Sequence, residues 1–563
     1  MLRVSVLVPL LLASLLIGCG KGSEGAQAQS EVEQLRQAQA SYDNGSYQQA
    51  AEQLESFIEN NPNSPEIEPA RYALAKSYYW LARYPDAIKL FTELHTQGQT
   101  VSQAKYLYWR GKSYVKSRQY QEGETDFDQV MQLHETSTYV DNADLAKARL
   151  PYDQVQDLNS ASSDYQQNYQ AWLNDAVTRL ESFITRRPDS GLLDDAYYTL
   201  GRSHQELNSP VEAKAQFDYI VETLVLSSLR DNAYYQNGML LYQQAEIHTA
   251  SGNLTEAINN YGLAIEHWQA VDTITDFTNT SAFDDIIYFT ARAHVETGDV
   301  YLMLADDVQA DTAFLQAKAV FQTLRDGYTG SGWRDNAMYN IAKLDYDRLE
   351  YASAIAEFDT LANTYCGATM QSSLCDQTLY FRGRSKQKQA IDMADAQGFQ
   401  AAIIDFQLVT TAYPDSTWAD NAAYQVGKVW YEQADYVKAI QVFETVLSAT
   451  YLNQSAYDEA TYYLARSYAF DSDAQSAKLY FQQFIDAYEQ SPLLDNAYWG
   501  LSAANHDLGD CPAELASLQT LLNWPYEATL GPVGDITLGN AQTHADDLVP
   551  GQLNNHTCIV PLP

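Results

Sequence analysis

The stretch whose reading decides the fold is PDSTWADNAAYQVGKVWY, Pro414 to Tyr431. Its Asp-Asn-Ala core recurs at Asp141, Asp231, Asp335 and Asp495, and near-copies begin at Asp194 (DDAYYTLG) and Asp458 (DEATYYLA). A phrase repeated along one chain is first a statement about architecture. Within the stretch, Pro414 ends one unit, and Asp415 and Ser416 suit a turn. Ser416 or Asp420 then caps a helix whose packing face is Ala423, Gly427 and Trp430 or Tyr431.

Just after the phrase comes Ala439-x-x-x-Phe443, and the same pair occurs at Ala87/Phe91, Ala213/Phe217, Ala317/Phe321, Ala354/Phe358, Ala402/Phe406 and Ala477/Phe481. Softer copies are Ala50/Leu54, Gly123/Phe127, Ala176/Leu180 and Ala257/Tyr261. An apolar residue follows three later, as Ile220 follows Phe217. Small, large, large at i, i+4, i+7 is one face of a helix. The steps between the small residues are 37, 36, 53, 37, 44, 60, 37, 48, 37 and 38, so six of ten fall within one residue of 37 and the rest carry insertions.

A second helical pattern precedes each of these. A small residue lies twelve before the Ala, at Ala75, Gly111, Gly201, Ala342, Gly427 and Ala465. A residue that fills space follows three later, usually aromatic; His204 stands there as a packing residue. The turn between the helices carries an aromatic, such as Tyr84 or Tyr436, and Pro62, Pro188 and Pro414 close units. The expectation is an all-α array of about 11–12 helix pairs over residues 31–521. Insertions are expected as polar loops at Leu158–Gln170, at Asp272–Phe283 and, in that same unit, at Leu304–Asp311. From Gly383 to Ala402 the interval is nineteen residues instead of twelve; seven extra residues are two helical turns, which predicts a longer helix pair. Each insertion is a surface loop or a docking feature.

The chain has 563 residues, 46% of them apolar and 42 of them Tyr, which excludes a disordered polymer. Acidic residues outnumber basic ones 73 to 34, a formal charge of −39. A field of that sign repels phosphate, so nucleic acid is excluded as a partner and a basic surface is favoured.

The N-terminus is a separate object. Arg3 precedes the apolar run Val4–Ile17, too short to span a membrane and built like a secretory signal. It ends Leu16-Ile17-Gly18-Cys19, which resembles the bacterial lipobox. The resemblance implies that residues 1–18 are a signal peptide and that Cys19 is acylated as the first mature residue. Gly20 rather than Asp implies the outer membrane. Residues 19–30 are then a lipidated, flexible tether. Four cysteines remain in an oxidising compartment, Cys366, Cys375, Cys511 and Cys558, and 366–375 with 511–558 is the preferred pairing of three. Residues 522–563 lose the repeat and are rich in Gly, Pro and Asn; they cap the last hydrophobic face or bind a partner as a strap.

The helix pairs, with Leu200-Gly201 in the first helix and Ala439-x-x-x-Phe443 in the second, resemble the tetratricopeptide repeat. The P-D-S…D-N-A-x-Y joint resembles its periplasmic branch, which includes the lipoprotein of the outer-membrane-protein assembly machine and the Tol-Pal coordinator. The resemblance implies a superhelical solenoid whose concave groove holds envelope proteins or peptides, within a larger complex, at the periplasmic face of the outer membrane. Tyr197, Tyr234 and Tyr424 are expected to offer exposed contact area there.

Catalytic signatures are not spelled. There is no H-E-x-x-H, G-x-S-x-G or phosphate-binding loop, and His544-Ala-Asp-Asp reads as a solvated loop. No catalytic, cofactor or metal residue is assigned. The expected function is a non-enzymatic interaction scaffold; the alternatives are a cell-wall glycan-binding protein and an accessory subunit of an envelope enzyme.

Overall fold

The computed structural model describes residues 22–97, 103–157, 163–272, 283–367 and 372–522. The described residues form twelve helix pairs. The first six are α1 Gly22–Asp43 with α2 Tyr47–Asn60, α3 Ile67–Trp80 with α4 Tyr84–Gln97, α5 Gln103–Lys116 with α6 Tyr120–Leu133, α7 Val140–Asp157 with α8 Ser163–Arg186, α9 Leu193–Glu206 with α10 Pro210–Glu222, and α11 Arg230–Ala250 with α12 Leu254–Asp272. The other six are α13 Phe283–Met303 with α14 Asp307–Gly327, α15 Arg334–Asp347 with α16 Tyr351–Tyr365, α17 Cys375–Met393 with α18 Ala396–Ala412, α19 Ala419–Glu432 with α20 Tyr436–Ser448, α21 Tyr457–Phe470 with α22 Ala474–Ala487, and α23 Leu494–Asp507 with α24 Cys511–Leu522. The chain divides into two compact units, residues 1–286 and 287–563.

Packing within a pair follows from the sequence periodicity. Phe217, Phe358, Phe406 and Phe443, each on a second helix, are wholly buried. The small residue of the first helix makes room for them: a Cβ on Gly427 would lie 2.5 Å from the Phe443 ring, and one on Gly201 would lie 2.7 Å from Phe217. Burying one such ring contributes about 2–3 kcal/mol, so this contact is a main fastening of the pairs that carry it.

At Asp420, and at the near-copies Asp194 and Asp458, the acid of the phrase fastens neighbouring pairs. Trp418, and neither Ser416 nor Asp420, occupies the cap position of α19, and no side chain caps that end. Ser416 Oγ instead accepts the Trp418 N–H at 3.0 Å and donates to Asp376 of the preceding pair. Asp420 is fully buried, and its carboxylate accepts the Ser455 hydroxyl and the Ala456 N–H, both at 3.1 Å, from the following pair. Ser227 to Asp194 at 2.7 Å and Ser491 to Asp458 at 2.8 Å repeat the link. A buried carboxylate such as Asp420 needs such donors, and the half-buried Asp194 and Asp458 of the near-copies take the same kind of donor. Side-chain caps occur at second helices instead: Asp395, Asp435 and Asp473 each accept an N–H of the first turn.

Two expected loops are helical. The tether is helix from Gly22 onward, because its Ala, Gln and Glu are good helix formers. Of Leu158–Gln170, everything from Ser163 lies in α8, a helix of 24 residues. The insertion around Leu304–Asp311 is absorbed by lengthening both α13 and α14 to 21 residues, leaving a turn at 304–306. The Gly383–Ala402 insertion lengthens α17 and α18 to 19 and 17 residues. The loop inside Asp272–Phe283 and the tail from 523 lie outside the described residues.

In each unit, successive first helices also pack on one another: α3 on α5, α5 on α7 and α7 on α9; then α15 on α17, α17 on α19 and α19 on α21. Second helices make no comparable packing among the described residues. First helices therefore form an inner row and second helices an outer one.

Candidate functional site

In the first unit four consecutive first helices, α3, α5, α7 and α9, carry a cation directly after the small packing residue: Lys76 after Ala75, Lys112 after Gly111, Arg149 after Ala148 and Arg202 after Gly201. The small residue faces the second helix, and the next residue lies about 100° around the helix. Lys112 Nζ thereby lies 4.9 Å from the centre of the Trp109 ring, 5.4 Å from Tyr79 and 5.7 Å from Tyr108. Lys76 Nζ lies 4.6 Å from Tyr42 and 5.2 Å from Trp109. These rings come from α1, α3 and α5, so each ammonium is held between neighbouring repeats.

Burial lowers the pKa of both lysines, and for Lys112 the neighbouring positive charges of Arg149 and Lys116 lower it further. Neither ammonium has a carboxylate oxygen within 4.0 Å among the described residues. A cleft of about 340 Å³ opens beside Lys112, between Tyr79, Tyr108, Arg149, Asp153 and Asp195. Arg149 bonds Asp153 at 3.3 Å, and its Nε is buried without a partner. Burial holds Asp153 and Asp195 above the usual carboxylate range, and Asp194 adds repulsion at Asp195. Burial also pushes the Tyr108 hydroxyl up to about 12. The cleft is thus a polar, aromatic-walled surface lined by three cations, Lys112, Lys116 and Arg149, and two acids, Asp153 and Asp195. It suits binding of a polar segment.

The residues singled out from sequence fall in several places. Cys366 and Cys375 are bonded, with Cα atoms 5.3 Å apart, closing the entry to α17. Cys511 is buried at the start of α24; Cys558, Cys19 and His544 lie outside the described residues. Tyr424, expected to be exposed, is buried: it packs 6.0 Å from Phe443 and 6.1 Å from Tyr463. Tyr197 is half-buried and stacked on Tyr219 at 4.1 Å, and Tyr234 is half-buried. His204 is half-buried, and burial lowers its pKa. Asp194 and Asp195 part company: the first accepts Ser227, the second faces the cleft. Sequence reasoning missed the cation row, although its signal, a Lys or Arg after the small residue, stands in the same repeats.

Among the described residues no helix is long and apolar enough to cross a membrane, and no group of three His, Cys, Asp or Glu side chains is arranged to hold a metal.

Two family models match the chain. One, described as outer membrane lipoprotein, matches residues 27–132 and 296–423; the other, tetratricopeptide repeat, matches residues 459–491. The chain is similar to a tetratricopeptide repeat over residues 459–491, and to outer membrane lipoproteins twice, once in each unit. Comparison with curated proteins finds no match. Similar solved structures include the C-terminal part of a TPR repeat-containing protein from Cytophaga hutchinsonii, 16% identical, covering 54% of this chain and 98% of that one, with a TM-score of 0.34. Yeast Tom70 is 10% identical, covering 92% and 96%, with a TM-score of 0.33. The APC/C hetero-tetramer Cut9–Hcn1 is 14% identical, covering 92% and 90%, with a TM-score of 0.32.

Proposed function

We propose that the chain is a non-enzymatic interaction scaffold of the cell envelope, holding segments of partner proteins along its inner rows. The observation that carries this reading is the line of ring-held, half-buried cations on consecutive first helices, which offers several equivalent contacts to one extended partner. The similarity to outer membrane lipoproteins in both units supports placing it at the outer membrane. In this reading Cys19 carries the lipid, the array faces the periplasm, and a Cys511–Cys558 bond ties the tail to α24. Several acyl chains on one residue anchor stably where a single chain is marginal.

Photocrosslinking residues placed at Asn142 and Lys116 should trap discrete proteins from the envelope, and the same residues on the outer row, at Thr178 or Gln121, should not. Equal trapping from both rows overturns the groove reading. Aromatic walls also suit a sugar, so retention of isolated peptidoglycan fragments with no protein trapped would favour the glycan-binding alternative. Cys19→Ala should move the protein from the membrane pellet to the soluble periplasm.

A further inference from the structure

The second unit repeats the cation register. Lys343 follows Ala342, Arg384 follows Gly383, Lys428 follows Gly427 and Arg466 follows Ala465, each on the next first helix of one inner row. Lys428 Nζ lies 3.7 Å from the centre of the Tyr463 ring and 4.9 Å from Tyr431. Arg466 shares the Tyr431 ring at 5.5 Å and touches Tyr462 at 5.7 Å. Lys343 lies 5.1 Å from Phe381.

The carboxylates near these cations are few, and one of them, Glu459 beside Arg384, is raised to about 7, chiefly by burial. Lys343 has Asp347, and Lys428 has Glu432 only at 3.7 Å. Arg384 and Arg466 have no carboxylate oxygen within 4.0 Å among the described residues, and Arg384 Nε is buried with no partner. Lys428 is pushed down to about 8, by burial first, and both Arg466 and Arg384 add repulsion across the row. Three like charges held within reach of one another, in a chain of net charge −39, leave a local demand for anionic groups.

We propose that the inner row of the second unit, from Arg384 through Lys428 to Arg466, is a track for an extended peptide segment that carries one carboxylate per repeat and apolar or aromatic residues between. This rests on the scaffold reading and names the chemistry of what the scaffold holds. The spacing follows from the fold. Packed helices lie roughly 10 Å apart, and a polyproline-type or extended chain advances about 3 Å per residue, so acids about three residues apart fall on successive rungs. The rings between the rungs suit the intervening apolar side chains. A dense polyanion fits less well: the acidic body repels it at long range, and one cation per repeat cannot neutralise it.

The test uses the full chain and fluorescently labelled synthetic peptides of about twelve residues with Glu at every third position between Pro, Phe and Ala. Anisotropy titrations at low and moderate salt compare this peptide with its Glu→Gln counterpart and with a uronic-acid oligosaccharide of equal charge. The Glu peptide should bind at least tenfold tighter than the Gln peptide. Arg384→Gln, Lys428→Gln and Arg466→Gln should each weaken it about three- to tenfold, whereas Lys428→Arg should retain it. Circular dichroism melting of each variant separates lost binding from lost folding. Equal binding of the Glu and Gln peptides overturns the acidic track while leaving the scaffold reading standing. Preference for the oligosaccharide overturns it in favour of glycan. If neither peptide binds and crosslinkers in either unit trap no protein, the scaffold reading itself falls.

Discussion

Two cations flank one glycine in each unit, and they do opposite things. Arg110 and Lys112 stand either side of Gly111, and Arg382 and Arg384 stand either side of Gly383. The residue before the glycine turns into the seam between the two helices of a pair. Arg110 donates to both oxygens of Asp126 at 2.8 and 2.7 Å. Arg382 donates to Asp405 and to Asp359, each at 2.9 Å. Asp126 and Asp405 immediately precede the buried Phe127 and Phe406 and are themselves buried. The residue after the glycine lies on the inner row among aromatic rings, with no carboxylate oxygen within 4.0 Å among the described residues; Asp153 and Asp195 near Lys112, and Glu459 near Arg384, act only from farther off. One position thus closes the fold and the other leaves charge available, although 200° of helix is all that separates them.

Breaking the seam tests the first half of that contrast. Asp405→Ala strips Arg382 and Lys386 of a shared buried carboxylate and should cost about 3–5 kcal/mol. Arg384→Gln, two residues from Arg382, should change stability by less than about 0.5 kcal/mol. Repeat arrays unfold by parts, so amide hydrogen exchange in α17 and α18 is the suitable readout. Equal losses of protection in both variants would erase the distinction between seam and row.

The glycine that separates the two cations is the next lever. A Cβ at Gly383 would meet the Phe406 ring at 2.7 Å, so Gly383→Ala should cost about 1–3 kcal/mol by overpacking. A Cβ at Gly191 would meet nothing within 4 Å, so Gly191→Ala should be neutral or slightly stabilising in the same thermal melts.

These contrasts show how much of the molecule was legible in its sequence. The Ala-x-x-x-Phe and small-residue patterns were legible because close helix packing allows few substitutes at Gly201 or Phe217, and that constraint is renewed every 37 residues. The role of Asp420 was not. Helix-start acids look alike in sequence, and only the arrival of Ser455 and Ala456 from the next pair makes this one a link. Tyr424 misled for a related reason: tyrosines on a first helix are alike until the rings of neighbouring repeats bury one and spare another. The insertion at Ser163–Gln170 read as a loop because its residues are polar, yet polar residues suit the solvent side of a long helix. The cation register was written plainly after eight of the small residues, from Ala75 to Ala465, but its meaning depends on which helices form the inner row.

A titration probes the row's electrostatics. Glu459, beside Asp458, Asp420 and Arg384, is raised to about 7, chiefly by burial. The folded state therefore holds this proton more tightly than the unfolded chain, whose value is near 4.5. Stability should fall as pH rises from about 4.5 to 7, by on the order of 1 kcal/mol once solvent access is discounted. Glu459→Gln should flatten that slope in urea titrations run at pH 5 and pH 8, and a slope unchanged by the substitution would show that burial there is weaker than described.

The smallest expected effect is at Lys428, and its sign is what matters. Its folded pKa of about 8 lies below the unfolded value of 10.5, so the charged form is the disfavoured one. Below pH 8 the lysine is charged in both states and the burial cost is fully present; the cost is relieved as pH rises from 8 towards 10.5, and stability should rise with it. Lys428→Gln removes the burial cost, the contact with the Tyr463 ring and the 3.7 Å pairing with Glu432, terms of opposite sign, and Glu432 keeps its bond from Gln387, so the net change at pH 7 should lie within about 0.5 kcal/mol of zero. A seam cation cannot be removed so cheaply, because its carboxylate would be left buried and unpaired. A Lys428→Gln variant that melts as the parent does, loses the pH-dependent rise and still binds acidic peptide more weakly would place this cation with binding and not with folding; a large loss of stability would instead make it a second seam.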